Sequence, residues 1–182
     1  MPARLEIALK DHLLDAEGEG IRRKASDYFK IKLSRVRSVH ILTIDADLNP
    51  QQLRQIQTEI FTNPVTQVSS FEPLAVPFDW TIWVGFRPGV RDNPGSTAVE
   101  AIEDLTAVKF ATGQSVYTSK RYCIRGQGLT AADLDKIAGE LLANDIIQQW
   151  KIYSARQWDP AVGIGFIIPK VILDHVPTVS VI

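Results

Sequence analysis

The stretch Val90–Ile102 reads VRDNPGSTAVEAI, and Leu13–Ala25 reads LLDAEGEGIRRKA. Each places an Asp three residues before a Gly, Asp92 with Gly95 and Asp15 with Gly18, at the head of an amphipathic run. Alone, the first stretch raises the question of an anion site. Asp92, Asn93, Pro94 and Gly95 are turn formers, and a Gly at a helix start leaves backbone N–H groups free to face a phosphate. The second stretch changes that reading. A phosphate loop needs no twin, so the shared part reads as architectural: Asp15 and Asp92 hold a turn, and Gly18 and Gly95 ease the chain into the helix. Only the later copy adds Asn93, Pro94 and the hydroxyls of Ser96 and Thr97, so if either junction meets a partner or ligand, this one is expected to.

Outward from these junctions the chain repeats itself. Leu5, Ile7 and Leu9 alternate at period two, as do Ile82, Val84 and Phe86, at an offset of 77 (82 − 5). That alternation reads as a half-buried strand. Ile21, Ala25 and Tyr28 map at the same offset onto Ala98, Ile102 and Leu105, one face of a helix. Further on the offset is 81 (144 − 63): Leu53, Ile56, Ile60 and Phe61 map onto Leu134, Ile137, Leu141 and Leu142, and Asn63 onto Asn144. About four extra residues therefore sit in the middle of the second copy, and the loop at Gly126 and Gly128 is expected to hold part of them.

Each copy reads as strand, helix, two strands, helix, strand, with middle strands expected over 32–37 and 39–45, and over 108–112 and 116–125. The second helices carry start signals. Asn49 precedes Pro50, and Thr130–Asp133 forms a variant capping box. Asn63 and Asn144 suit a left-handed position at their ends. A βαββαβ order implies an α+β, ferredoxin-like sheet with helices on one face. Two such copies can bury their open faces against each other, giving a pseudo-dimer fused in one chain. The expected units are residues 1–75 and 76–159, joined through Glu72–Asp79, and an apolar tail or linker over 160–182 that runs along another surface and leads into a longer polypeptide.

The chain has 20 basic and 21 acidic side chains, without the basic excess of a nucleic-acid or membrane-surface binder. No apolar run reaches the roughly 20 residues of a membrane span. No basic segment followed by an apolar stretch opens the chain, so no signal peptide is expected. The single Cys123 forbids an internal disulfide. Cytoplasmic location is the expectation.

Nucleophilic chemistry needs a base beside the nucleophile, and Cys123 falls in a strand, where a buried structural thiol is the reading. His12, His40 and His175 lie in separate segments without ligand spacing, so no metal or cofactor is expected. The Gly-rich pieces around Gly126 and Gly163 lack the context of a nucleotide loop. Glu17 with Glu19, and Glu103 with Asp104, read as solvated carboxylates. Trp80 shares the parity of Ile82 and reads as core. Trp83 has the opposite parity and is expected on the face that meets the partner copy or another domain.

Both copies resemble the small PurS subunit of phosphoribosylformylglycinamidine synthase, an ATP- and glutamine-dependent ligase of purine biosynthesis. The residues that carry the resemblance are the two Asp–Gly junctions and the helix ends EIFTNPVTQ (59–67) and ELLANDIIQ (140–148). It covers residues 3–155, and the whole chain resembles the N-terminal region of a fused synthase polypeptide. The resemblance implies a non-catalytic scaffold that joins the synthetase (PurL-type) to the glutaminase (PurQ-type) and helps ammonia pass between them. It carries no catalytic residue to any position here. Trp83, Asn93, Ser96, Thr97, Asn63 and Asn144 are the residues expected at a partner interface. Further self-association of the pseudo-dimer stays open. The alternative is a regulatory module that binds a small molecule at the seam between the copies; a free-standing enzyme is a third reading.

Overall fold

The two alternating runs become β1 (Ala3–Leu9) and β4 (Trp80–Phe86) in the computed structural model, which describes residues 1–170. After β1 come α1 (Ala16–Phe29), β2 (Arg35–Asp45), α2 (Pro50–Ile56) running into a π-helical turn (Gln57–Phe61), and β3 (Gln67–Ser70). After β4 the same order returns as α3 (Asn93–Thr106), β5 (Ser115–Arg125), α4 (Ala131–Ile137) with its π turn (Ala138–Leu142), and β6 (Gln148–Ser154). Among the described residues the architecture is α+β: one six-stranded antiparallel sheet, ordered β3-β1-β2-β5-β4-β6, with four helices.

Each copy therefore contributes three strands, not four. The two middle strands expected over 32–37 and 39–45 are a single strand, β2. No turn breaks it, because the Ser38 N–H and hydroxyl both donate to Asp15 and all eleven residues of β2 pair with β5. Residues 108–112 form a loop. Ala107 ends α3 with a φ of 59°, and Glu103 accepts from the Phe110 N–H, folding the chain back. This loop takes most of the insertion: five residues (30–34) separate α1 from β2, whereas eight (107–114) separate α3 from β5. The Gly126–Thr130 loop holds five residues against four in Ala46–Asn49.

The copies do not stack face to face. They join edge to edge, β2 against β5, with Arg35 opposite Arg125 and Asp45 opposite Ser115. His40 lies opposite Lys120, its own counterpart at an offset of 80 (120 − 40), so a pseudo-two-fold axis passes between them. The helices share one face of the joint sheet, and their cores are mixed. Ile21 and Ala25 of α1 pack with Ile82, Val84, Ile124 and Leu134. Ala98 and Ile102 of α3 pack with Ile44 and Ile56.

The other face is covered by the chain's own connections. Leu74, Val76 and Phe78 of the joint, and Trp158, Ile164 and Ile167 beyond β6, pack on Ala8, Val39, Ile41, Trp83 and Cys123. Trp83 thus meets the linker and the C-terminal segment, in place of the partner copy or another domain, because the edge pairing leaves that face of both copies pointing the same way. A buried cluster ties the cover down. Arg121, 0% exposed, donates to Glu6 Oε2 (3.2 Å) and the Leu74 carbonyl (3.1 Å) and lies 4.8 Å from the Trp158 ring centroid. Arg4 donates to the carbonyls of Val162 (3.0 Å) and Gly165 (2.8 Å). Residues 160–170 of the tail follow this surface; the rest of it, 171–182 with His175, lies outside the described residues.

Two glycines are needed where the helices meet the sheet. A Cβ on Gly18 would overlap the Val36 carbonyl oxygen, and one on Gly95 the Val116 carbonyl oxygen. Gly20, two residues on in α1, has open space around it. Gly18→Ala should therefore cost about 1–3 kcal/mol of unfolding free energy, while Gly20→Ala should gain up to about 1 kcal/mol from helix propensity. Urea titration of both variants measures the contrast; equal effects would remove the close-approach account.

Candidate functional site

The Asp–Gly junctions place a carboxylate where an external anion would sit. Asp15 Oδ1 accepts from the Gly18 N–H (2.9 Å), and Oδ2 from the Ser38 N–H (2.6 Å) and hydroxyl (2.8 Å). In the second copy Asp92 Oδ1 accepts from the Gly95 N–H (2.8 Å) and the Thr118 hydroxyl (2.8 Å), and Oδ2 from the Thr118 N–H (2.6 Å). Each Asp caps its helix and pins it to the neighbouring long strand. The Gly18 and Gly95 N–H groups, which would face a phosphate, are thus taken by the chain's own carboxylates.

The second copy's extra polar groups do less. The Ser96 hydroxyl donates to the Asp92 carbonyl and the Thr97 hydroxyl to the Asn93 carbonyl, within the first turn of α3. Asn93, Ser96 and Thr97 are exposed. Neither Asn63 nor Asn144 adopts the left-handed conformation; that backbone belongs to Lys30 (φ 56°) and Ala107 (φ 59°), at the ends of α1 and α3. The α2 and α4 segments end in π turns whose following residues, Thr62 and Ala143, are extended. Asn63 and Asn144 instead cap the next turn through their side chains, accepting from the N–H groups of Val65 (2.9 Å) and Ile146 (3.1 Å). Val65 and Ile146 are exposed at these matching tips.

A cavity of about 680 Å³ opens on the helix face across the pseudo-two-fold axis. Its floor includes Ile7, His40, Thr118, Lys120 and Tyr122, and α3 and both π turns line it through Thr97, Ala98, Phe61 and Leu142. Beside it, Glu17 of α1 gathers a polar group that the residues alone did not reveal. Glu17 Oε1 accepts from Lys120 Nζ (2.8 Å) and the Tyr122 hydroxyl (3.0 Å), and Oε2 lies 3.7 Å from His40 Nε2. His40 and Lys120, with Tyr122, hold the Glu17 carboxyl down at about 2 against the opposing effect of burial. Burial, and the Glu17 charge next, push the Tyr122 hydroxyl up. Glu17 read as solvated because Lys120 and Tyr122 lie more than a hundred positions away and His40 belongs to a different element. The available signal was a break in the repeat: its counterpart at offset 77 is Pro94.

Cys123 is buried, with Arg121 Nη1 3.1 Å from its sulfur, and desolvation raises its thiol pKa, away from the nucleophilic thiolate. Among the described residues no group of three or more His, Cys, Asp or Glu could hold a metal ion, and no helix is long and apolar enough to cross a membrane. The chain matches no protein-family model and no curated protein.

Asp92→Ala should cost about 1 kcal/mol for the cap and about 1–3 kcal/mol more for the stranded Thr118 donors. The Asn93→Ala/Ser96→Ala double variant should stay within about 0.5 kcal/mol of the parent. Denaturant midpoints separate the two, and a costly double variant would contradict the division of roles. Glu17 ionises below its ordinary carboxylate value in the folded state, so its contribution is complete above about pH 4.5 and is lost as pH falls towards about 2. Glu17→Gln should reduce the loss of stability across that window, measured as melting temperature against pH.

Proposed function

We propose that this chain is a non-catalytic assembly module of the phosphoribosylformylglycinamidine synthase type, acting in the cytoplasm and holding synthetase (PurL-type) and glutaminase (PurQ-type) parts together. The observation that carries the reading is the pairing of two like copies about a pseudo-two-fold axis into one sheet with a shared core. Such a body offers two similar surfaces in fixed relation, as a bridge between two enzymes needs. The matching exposed tips at Val65 and Ile146 support it, since they repeat one apolar contact point at both ends. The use of both Asp–Gly junctions as braces supports it too, because the repeated motif serves architecture. The finer identity, tandem PurS-like domains, rests on the resemblance of the junctions and helix ends.

Co-purification tests the role. With glutamine and ADP present, the chain should elute with the synthetase and glutaminase components as one complex, and Val65→Asp/Ile146→Asp should weaken that complex while the chain stays folded. Separate elution of all three components under those conditions would sink the proposal.

A further inference from the structure

A fused dimer of identical halves would present the same groups on both sides of its axis. On the helix face the symmetry fails around Glu17. Glu17 has Pro94 as its counterpart, His40 has Lys120, and Leu42 has Tyr122, so an ion pair with a hydroxyl beside it forms on one side only. His40, Lys120 and Tyr122 of this group line a concavity whose apolar walls include Phe61, Val84, Phe86, Ala101 and Leu142, and Glu17 stands behind them, in contact with all three. The π turns, a rare conformation found often at functional sites, occur in both copies and bring Phe61 and Leu142 there.

The donors and acceptors have spare capacity. An ammonium has three N–H donors, and among the described residues Lys120 uses one, towards Glu17. Among the described residues the one charged or polar group near Glu17 Oε2 is His40, at 3.7 Å. At the two ends of the cavity, Gln67 and Gln148 accept through Oε1 from the N–H groups of Asn63 (2.8 Å) and Asn144 (2.9 Å), which leaves each amide Nε2 without a partner among the described residues.

We propose that the seam cavity binds one zwitterionic molecule with a large apolar side chain, an α-amino acid of the aromatic or branched aliphatic kind, with its carboxylate on Lys120 and its ammonium on Glu17. The Lys120–Glu17 pair at the edge of the cavity selects this class. A simple acid would meet the Glu17 charge and a simple amine the Lys120 charge, each at a partly buried site where like charges repel strongly. A neutral apolar molecule would cover both charges without satisfying them. A zwitterion completes an alternating ring of charge, and its side chain lies against the aliphatic and aromatic walls. A volume of about 680 Å³ suits a small ligand. Since the ion pair occurs once, the stoichiometry is one per chain. This site is independent of the scaffold role.

Titration calorimetry on the full chain at pH 7 tests it with L-phenylalanine and L-leucine, against 3-phenylpropanoate, which lacks the amine, and 2-phenylethylamine, which lacks the carboxylate. The expected result is saturable binding of an amino acid at one site per chain, with both analogues weaker by at least about tenfold. Lys120→Met, which keeps the aliphatic stem, and Glu17→Gln should each weaken binding by a similar factor. Thr97→Trp, which fills the cavity from an exposed helix position, should abolish it with the fold intact by circular dichroism. No saturable binding of either amino acid at millimolar concentration overturns the proposal, as does an analogue binding as tightly as its parent or Thr97→Trp leaving affinity unchanged.

Discussion

The antiparallel pairing of β2 with β5 is the contact on which the rest of the chain depends. It runs for eleven residue pairs without a bulge, in the middle of the sheet, between segments about 80 positions apart. Without it each copy would be a three-stranded sheet with a long open edge, a form prone to pairing with another chain. With it, the helices of one copy lie over strands of the other. Ile21 and Ala25 are buried against Ile82, Val84 and Ile124, so neither copy completes a core on its own. The two halves are folding partners inside one molecule, and the short, two-proline joint keeps the partner at hand at no cost in association entropy.

That choice of edge dictates what must happen on the opposite face. Both copies turn the same side away from the helices, and it carries Val39, Ile41, Trp83 and Cys123, which must leave water. The joint and the residues after β6 supply the cover. Arg4, Glu6 and Arg121 fix where it lies, although burying two guanidinium groups with one carboxylate is expensive. Carbonyls of Leu74, Val162 and Gly165 and the faces of Trp158, Phe78 and Phe166 take up the excess positive charge. An apolar cluster of equal size would bury as much surface but would let the cover slide; the directed donors admit one placement. The resulting asymmetry of the two faces also explains the seam cavity. The helix face is built from four separate helices and leaves a gap over the axis, whereas the other face is sealed by extended chain.

Much of the local structure could be read from residues close together. Asp15 and Asp92 reach a helix N–H three residues ahead, and the capping boxes of Asn49 with Gln52 and Thr130 with Asp133 span the same distance. Period-two alternation in β1 and β4 gave the strand faces correctly, including the opposed sides of Trp80 and Trp83. The failures at Ser38 and Glu17 involve distant partners, and that at Asn63 and Asn144 an unannounced local turn. Ser38 looked like a break in a strand because its bond to Asp15 is formed only when α1 docks. Asn63 and Asn144 looked like left-handed helix ends because nothing near them announces the π turns. Glu17 looked solvated because Lys120 and Tyr122 come from the other copy.

By itself the sequence determined the repeat, the two Asp–Gly junctions, the helix starts and the alternation of the first strand in each copy. Those are decided within one or two turns of chain, where spacing alone sets which groups can meet. Only the tertiary structure decided which sheet edge each copy offers the other, what covers the second face, and that Glu17, Lys120 and Tyr122 meet beside a cavity. An open sheet can satisfy its unpaired strand in more than one way. The selection is made by the whole register of β2 against β5 and by the fit of helices from one half over strands of the other. No short stretch of either copy contains that sum.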